Sequence, residues 1–479
     1  MNSQDIFNGV TDIRDDLIDG AKGASKKQKR RGKHLWLRAV AAVLAVTVTA
    51  GFFLRSGSGL TAYAITEAAY PKMARYPGEP HTEAAYNAWW ESITAQRRDL
   101  GDIAPLRAFF ARSSRTFLSG EEGQNRVYSP LNVYMALSML AQLTDGESRE
   151  QILSLLGSDS IDALRQQASN VWNSNYRNDG ALTSILASSL WLDQGVNYNQ
   201  DTLNILAQEL YASSYRGEMG SEQFDKALQS WLDQQTGGLL QEQAGNIELD
   251  KDTFLALATT VYFKAKWSYE FSKGKTTTET FHAPDGDLEV SFMHQRDDQN
   301  YYWGNRFAAV AQYFEGSSSS AAMWFLLPDE GITPEKLLSD GEAMDFLFTS
   351  NKNEWENRKH PFVNKSIPKF DVSSQLELTK GLRELGVTDV FDPDASDFTP
   401  MTSDVEAPIV LSRASHAARV VIDEEGCTAA AFTVIANAGA TAPPDDEVDF
   451  ILDRPFLFCI TGINGLPLFV GVVNVPFGG

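Results

Sequence analysis

The stretch whose reading decides the fold is Val420-Val-Ile-Asp-Glu-Glu-Gly-Cys-Thr-Ala-Ala-Ala-Phe-Thr-Val-Ile-Ala-Asn-Ala-Gly-Ala-Thr-Ala-Pro-Pro444. It opens as a strand, because residues 419–422 are apolar and β-branched behind a charged start, and it then meets Glu424, Glu425 and Gly426. From Cys427 to Ala442 no residue is charged and almost nothing is large except Phe432 and Ile435; Pro443 and Pro444 close the segment. A loop of Ala, Thr, Gly, Val and Asn stays extended, yet its Thr, Val and Ile suit it to a sheet that opens for it. Alanine runs also fill helices, and small-residue segments before Pro-Pro also serve as linkers, so the flanks must decide.

Upstream stands Leu411-Ser-Arg-Ala-Ser-His-Ala-Ala-Arg-Val-Val-Ile-Asp-Glu-Glu-Gly426. Downstream stand Phe450-Ile-Leu-Asp-Arg-Pro-Phe-Leu-Phe-Cys-Ile460 and Pro467-Leu-Phe-Val-Gly-Val-Val-Asn-Val-Pro476. Together they closely resemble the C-terminal signature of serpins, in which a hinge of Glu, Gly and small residues feeds an exposed reactive loop. The resemblance extends over residues 99–479. It implies an α+β fold with a large, mostly antiparallel central sheet, surrounding helices and a reactive loop at about 427–446.

The rest of the chain agrees with that class. Helical periodicity begins at Ala104, with Leu106, Phe109, Phe110 and Phe117 on one side, and a short strand follows at Asn125–Tyr128. Ser129 and Pro130 supply an N-cap and a first-turn proline for an apolar helix. Leu182–Leu192 and Thr253–Trp267 read as buried sheet strands, and Ser221–Gln241 as an amphipathic helix lying across the sheet. The run Phe263-Lys-Ala-Lys-Trp267 resembles the family's Phe-Lys-Gly-Lys-Trp motif with Ala265 in the glycine position. Ala321–Pro328 reads as a core strand, and Ile367-Pro-Lys-Phe370 leads a strand into a helix over Leu376–Leu385. No internal repeat is present.

With 41 Lys plus Arg against 63 Asp plus Glu, the formal charge is −22, which repels nucleic acid. The one concentrated basic run holds Lys26, Lys27, Lys29, Arg30, Arg31 and Lys33, ahead of the uncharged segment Ala39–Leu54. At about 1.5 Å per residue that segment reaches roughly 24 Å, short for a span but workable with tilt and flanking aromatics. We read residues 1–38 as a cytoplasmic basic tail, 39–54 as an uncleaved anchor, and 55–98 as an extracellular spacer, unusually aromatic with Tyr70, Tyr76, Trp89 and Trp90. The competing reading is a cleaved secretory signal ending near Ala62-Tyr63-Ala64. The expected localisation is a single-pass cell-membrane protein, of a bacterium, with residues 99–479 outside.

An enzyme needs a convergent nucleophile, base or metal shell. The six histidines form no metal-spaced pair, and neither a Gly-x-Ser-x-Gly elbow nor a phosphate-cradling glycine loop is present. We expect no catalytic activity, no metal and no cofactor. The resemblance places Ser129, Asn132, Thr259 and His416 where the two central strands of the main sheet are joined over a buried helix. The common family pattern has serine on the helix and asparagine on the strand, so Asn132 and Thr259 look exchanged; amide and hydroxyl both donate and accept. The hinge is Glu424, Glu425, Gly426, Cys427, Thr428, Ala429, Ala430 and Ala431.

The implied activity is suicide inhibition of a serine protease: the loop is cut, an acyl-enzyme forms, and the freed hinge enters the sheet before water releases the enzyme. Counting alternately from Gly426, the inward residues are Cys427, Ala429, Ala431 and Thr433, all small. Cys427 and Phe432 depart from the usual threonine and small residue. Spacing from Gly426 puts the reactive bond at Ala440-Thr441, within two residues either way, and a small residue there suits an elastase-like pocket. The expected partner is therefore an elastase-like serine protease, met by a monomer. Cys427 and Cys459 are expected to remain unpaired, one on the loop and one on a buried strand. The alternative keeps the fold and makes the protein a non-inhibitory binding module at the cell surface.

Overall fold

Helices begin readily where an oxygen-bearing side chain precedes an apolar repeat, and most described helices of this chain follow that rule, those starting at Ala104, Gln241 and Thr379 being without a side-chain cap. The structure, a computed structural model, describes residues 60–78, 81–120, 122–245, 247–316, 321–349, 351–404, 408–411, 414–427 and 446–477. Thr82 caps α1 (Glu83–Thr94), α2 spans Ala104–Leu118, and Ser129 caps α3 (Pro130–Leu143), its Oγ accepting from the Asn132 amide at 3.2 Å. Asp145, Ser160, Asn199 and Ser221 cap α4 (Gly146–Leu156), α5 (Ile161–Asn175), α6 (Gln200–Glu209) and α7 (Glu222–Gln235). Later come α8 (Pro334–Leu338), α9 (Gly341–Phe348) and α10 (Thr379–Glu384). The helix expected to reach Gln241 stops at Gln235, because Gly237 and Gly238 take positive φ values of 59° and 85°, which end a right-handed helix.

Strands are, in chain order, β1 (Ala64–Thr66), β2 (Arg126–Tyr128), β3 (Arg177–Asn178), β4 (Leu182–Asp193), β5 (Ala212–Gly217), β6 (Leu255–Lys266), β7 (Thr277–Ala283), β8 (Gly286–Asp298), β9 (Tyr301–Trp303) and β10 (Phe307–Tyr313). They continue with β11 (Ala322–Pro328), β12 (Arg358–Lys359), β13 (Phe362–Pro368), β14 (Phe370–Glu377), β15 (Ser415–Ile422), β16 (Gly426–Cys427), β17 (Glu447–Ile451), β18 (Phe456–Thr461) and β19 (Pro467–Val473).

The large sheet runs β1-β5-β4-β6-β16-β15-β14, with β3 attached to β4; among its described strands only the β4–β5 pair is parallel. A second sheet runs β12-β9-β10-β11-β18-β19-β2, and a third runs β17-β13-β8-β7. Helices on sheets with long crossovers and mostly antiparallel pairing make this an α+β fold. Helix α3 is buried nearly all round, with Leu131, Tyr134, Met139, Leu140 and Leu143 in one core with β19 strand residues Leu468, Val470 and Val472. A helix apolar on every side belongs inside, and here it runs beneath the large sheet. The described residues from 62 onward form one compact unit, and Tyr70, Tyr76, Trp89 and Trp90 of the segment read as a spacer fall within it.

The expected cell-membrane localisation is corrected. Among the described residues no helix is long and apolar enough to cross a membrane. Ala39–Leu54, the segment that motivated the anchor, and the basic tail before it lie outside the described residues.

Candidate functional site: the head and centre of the large sheet

Gly426 and Cys427 carry the arrangement. A turn at Asp423–Gly426 folds the chain back from β15: Asp423 N donates to Gly426 O at 3.0 Å, and Asp423 Oδ1 accepts from the amides of Glu425 (2.9 Å) and Gly426 (3.2 Å). The returning strand β16 lies between β15 and β6, antiparallel to both, with Cys427 opposite Ile422 on one side and Ala265 on the other, and Gly426 opposite Lys266. Gly426 packs so closely on β6 that a Cβ there would stand 2.3 Å from Ala265 O. Cys427 is 2% exposed, and neither it nor Cys459 is in a disulfide. Cys427 thus belongs to the sheet rather than to an exposed loop.

The turn is fastened from the sides. Trp267 donates from Nε1 to Asp423 O at 2.8 Å and from its amide to Glu425 O at 3.1 Å, its ring stacked on Phe314 at 5.0 Å. Phe271 N donates to Glu424 O at 2.9 Å. The Glu424 side chain accepts from Lys369 Nζ at 2.9 Å and from Thr276 Oγ1 at 2.8 Å, while Lys273 Nζ pairs with Glu425. Burial pushes the Glu424 carboxyl up, but the hydrogen bonds from Lys369 and Thr276 outweigh it and hold it below the usual carboxylate range. The first residues of the hinge are therefore anchored, and the small residues follow them in the sequence.

Near the middle of the same sheet, the N-terminus of α3 reaches both strands that border β16. Ser129 N donates to His416 Nε2 on β15 at 3.0 Å, and Asn132 Nδ2 donates to the main-chain oxygen of Thr259 on β6 at 3.2 Å. An Nε2 that accepts leaves the imidazole proton on Nδ1. His416 is 4% exposed against the edge of the Tyr128 ring, and burial pulls its pKa from 6.5 down to about 4, so it is neutral. Ser129, Asn132, Thr259 and His416 are thus brought together, with Thr259 acting through its carbonyl and not its hydroxyl. The β6 residues 256–259, 261 and 262 are only half-buried, although β6 lies inside the sheet.

Thr428, Ala429, Ala430 and Ala431 of the hinge and the Ala440-Thr441 bond lie outside the described residues. Lys369, Thr276 and Trp267 were not singled out as partners of Glu424 and Asp423; the first two sit 55 and 148 positions from Glu424, and no local pattern joins them. The one available signal was the unpaired look of two adjacent acids, Glu424 and Glu425, at the end of an apolar strand.

Comparison with known proteins follows the same outline. The family model described as serpin (serine protease inhibitor) matches residues 106–476. The chain is 27% identical over 375 residues to Serpin-ZX of Arabidopsis thaliana, covering 74% of this chain and 93% of that one. It is 28% identical over 387 residues to alpha-1-antiproteinase 2 of Equus caballus, covering 78% and 87%. Among solved structures it resembles the thermophilic serpin tengpin in its native state (TM-score 0.69, 23% identity, 79% of this chain and 96% of that one). It also resembles Arabidopsis AtSerpin1 in its native stressed conformation (TM-score 0.66, 25% identity, 79% and 99%). These plant and horse relatives lend no support to a bacterial origin or a membrane anchor.

Proposed function

The chain belongs to the serpin family, a family of serine protease inhibitors rather than enzymes, and on that premise we propose that it traps an elastase-like serine protease by taking its own cut loop into the large sheet. The observation that carries this reading is the position of β16, antiparallel between β6 and β15 at one end of the sheet. Extending its register beyond Cys427, Ala429 comes to lie opposite Phe263 and Val420, Ala431 opposite Val261 and Ala418, and Thr433 between Thr259 and His416. On β15, His416, Ala418, Val420 and Ile422 are the buried set, so their neighbours Thr433, Ala431, Ala429 and Cys427 take the inward positions. All four are small enough to enter without displacing the core. Phe432 takes the opposite face.

In this reading the protease serine attacks near Ala440-Thr441 and forms an ester with the residue on the N-terminal side of the cut. The new amino end departs with the downstream chain. The upstream segment, released, extends β16 toward the α3 N-terminus, adding ladder hydrogen bonds on both sides and carrying the acylated protease with it. A small residue at the cut fits a shallow pocket and leaves a deep cationic-side-chain pocket unfilled. The test is a denaturing gel after mixing the protein with pancreatic elastase and, separately, with trypsin. A denaturant-stable adduct with elastase, and cleavage at 440–441 within two residues, is the expected result. An adduct with trypsin alone overturns the specificity. Cleavage by both without any adduct overturns inhibition and leaves the non-inhibitory binding role.

A further inference from the structure

We propose that residues 63–78 and 81–98 form a strap that holds the β4–β5 side of the large sheet in place and so sets how readily the sheet admits a new strand. This rests on the loop-insertion reading above.

The strap begins as β1, which adds to the outer edge of the large sheet by pairing with β5. Arg216 N donates to Tyr63 O at 2.8 Å, Ala68 N donates to Ser213 Oγ at 3.1 Å, and the Tyr63 ring packs on Phe224 of α7 at 5.2 Å. Tyr70 then lies against Trp172 and Tyr176 at the end of α5, 5.4 and 5.7 Å between ring centres. The strap turns toward the head of β4, where Tyr76 N donates to Asp179 O at 2.8 Å.

It is locked there by α1. Trp89, 1% exposed, donates from Nε1 to Asp179 Oδ2 at 2.8 Å; the same oxygen accepts from Arg177 Nε at 2.6 Å, and Arg177 lies over the Trp89 ring. Arg177 Nη2 in turn donates to Gly316 O at 2.8 Å, in the connection between β10 and β11 of the second sheet. Asp179 stands three residues before Leu182, and Leu182 faces Ala265, which faces Cys427. The lock is therefore at the end of the sheet where β16 enters.

The consequence is mechanical. For a strand to run the full length between β6 and β15, the block on the β6 side, with β4, β5 and the helices riding on it, must slide from the block that holds β15 and β14. The strap grips β5, α7, α5 and the head of β4, all on the sliding side, and through Arg177 it ties them to the second sheet. An insertion too slow loses the trapped enzyme to water, and one too ready spends the sheet without a protease; the strap's grip sets the balance.

The test uses the full chain with Trp89→Ala and the milder Trp89→Phe, which keeps the ring and loses the Nε1 bond. Intact protein, with no protease present, is warmed, and its conversion to a form with a raised melting temperature and a loop no longer cut by elastase is timed. Losing one buried hydrogen bond to a carboxylate, at roughly 1.4 kcal/mol, corresponds to about tenfold faster conversion for Trp89→Phe, and Trp89→Ala, which loses the ring as well, should convert faster still. The loop-cut forms of all three should melt together, because their sheets have already accepted the strand. Equal conversion rates, or no conversion by any of the three, overturn the proposal. So does a melting temperature lowered equally in intact and cut forms, which marks a structural role only. If Trp89→Ala does not fold, Trp89→Phe alone carries the comparison. The conversion needs no protease, so a failure of this proposal is distinguishable from a failure to inhibit.

Discussion

The ring of His416 on β15 accepts a hydrogen bond from the backbone of Ser129, 287 residues earlier in the chain, through Nε2 at 3.0 Å. Eight positions further along β15 and into the turn, the sheet is pinned again by Glu424. Between these points lies the slot that β16 begins to fill.

The histidine contact makes stability depend on pH with a definite sign. In the unfolded chain His416 takes up a proton near 6.5, whereas in the fold burial delays this to about 4. Its contribution is whole above 6.5 and is lost as pH falls through that window to about 4, to a limit of roughly 3 kcal/mol. Urea unfolding at intervals from pH 7.5 to 4 should show the loss. In His416→Gln, which keeps an acceptor for Ser129 and cannot titrate, the slope should be shallower; an unchanged slope assigns the acid sensitivity elsewhere.

Removing the hinge clamp should loosen the head of the sheet. Glu424→Gln keeps the shape and loses the charge that Lys369 meets, at a cost of about 1–3 kcal/mol. Because the carboxyl is held below its usual range, the clamp is present at neutral pH and weakens as pH falls through that lowered value. The double variant with Lys369→Met should lose less than the sum of the two single changes, measured by equilibrium unfolding. Strict additivity means that the two side chains act independently.

Gly426 has no room for a methyl group, since the nearest obstacle is the rigid carbonyl of Ala265 and not the tip of a side chain. Gly426→Ala should cost about 1–3 kcal/mol through displaced backbone. Hydrogen exchange at Lys266 and Trp267 should quicken, and protection equal to the parent's refutes the tight β6–β16 approach.

In the proposed inserted state Ala431 would come beside Ala418, which is buried. Ala431→Arg should leave the intact protein as stable as the parent while turning it from a trap into a substrate. A gel should show the cut chain with little or no adduct. Persistent adduct formation contradicts the inward assignment.

Much of this was legible in the residues. Ser129-Pro130 marks the start of α3 because capping is local chemistry, and Thr253–Trp267 marks the strand beside the slot because long apolar runs with β-branched residues bury themselves. Alternation from Gly426 was enough to place Cys427 on a face, since strand parity needs no partner. What could not be read joins residues far apart. Thr259 contributes a main-chain oxygen, which any residue there also offers. The Glu424–Lys369 clamp and the Trp89–Asp179 lock depend on which strands become neighbours, and only the folded topology decides that. The membrane assignment came from a basic run before an apolar one, a pattern of composition without any contact to check it against.

The most direct measurement is a crystal structure of the protein after its loop has been cut by elastase. The account predicts a continuous strand running on from Cys427 between β6 and β15, with Ala429 opposite Val420, Ala431 opposite Ala418, and Thr433 between Thr259 and His416. A cut segment lying in solvent, with β16 still ending at its present length, contradicts it.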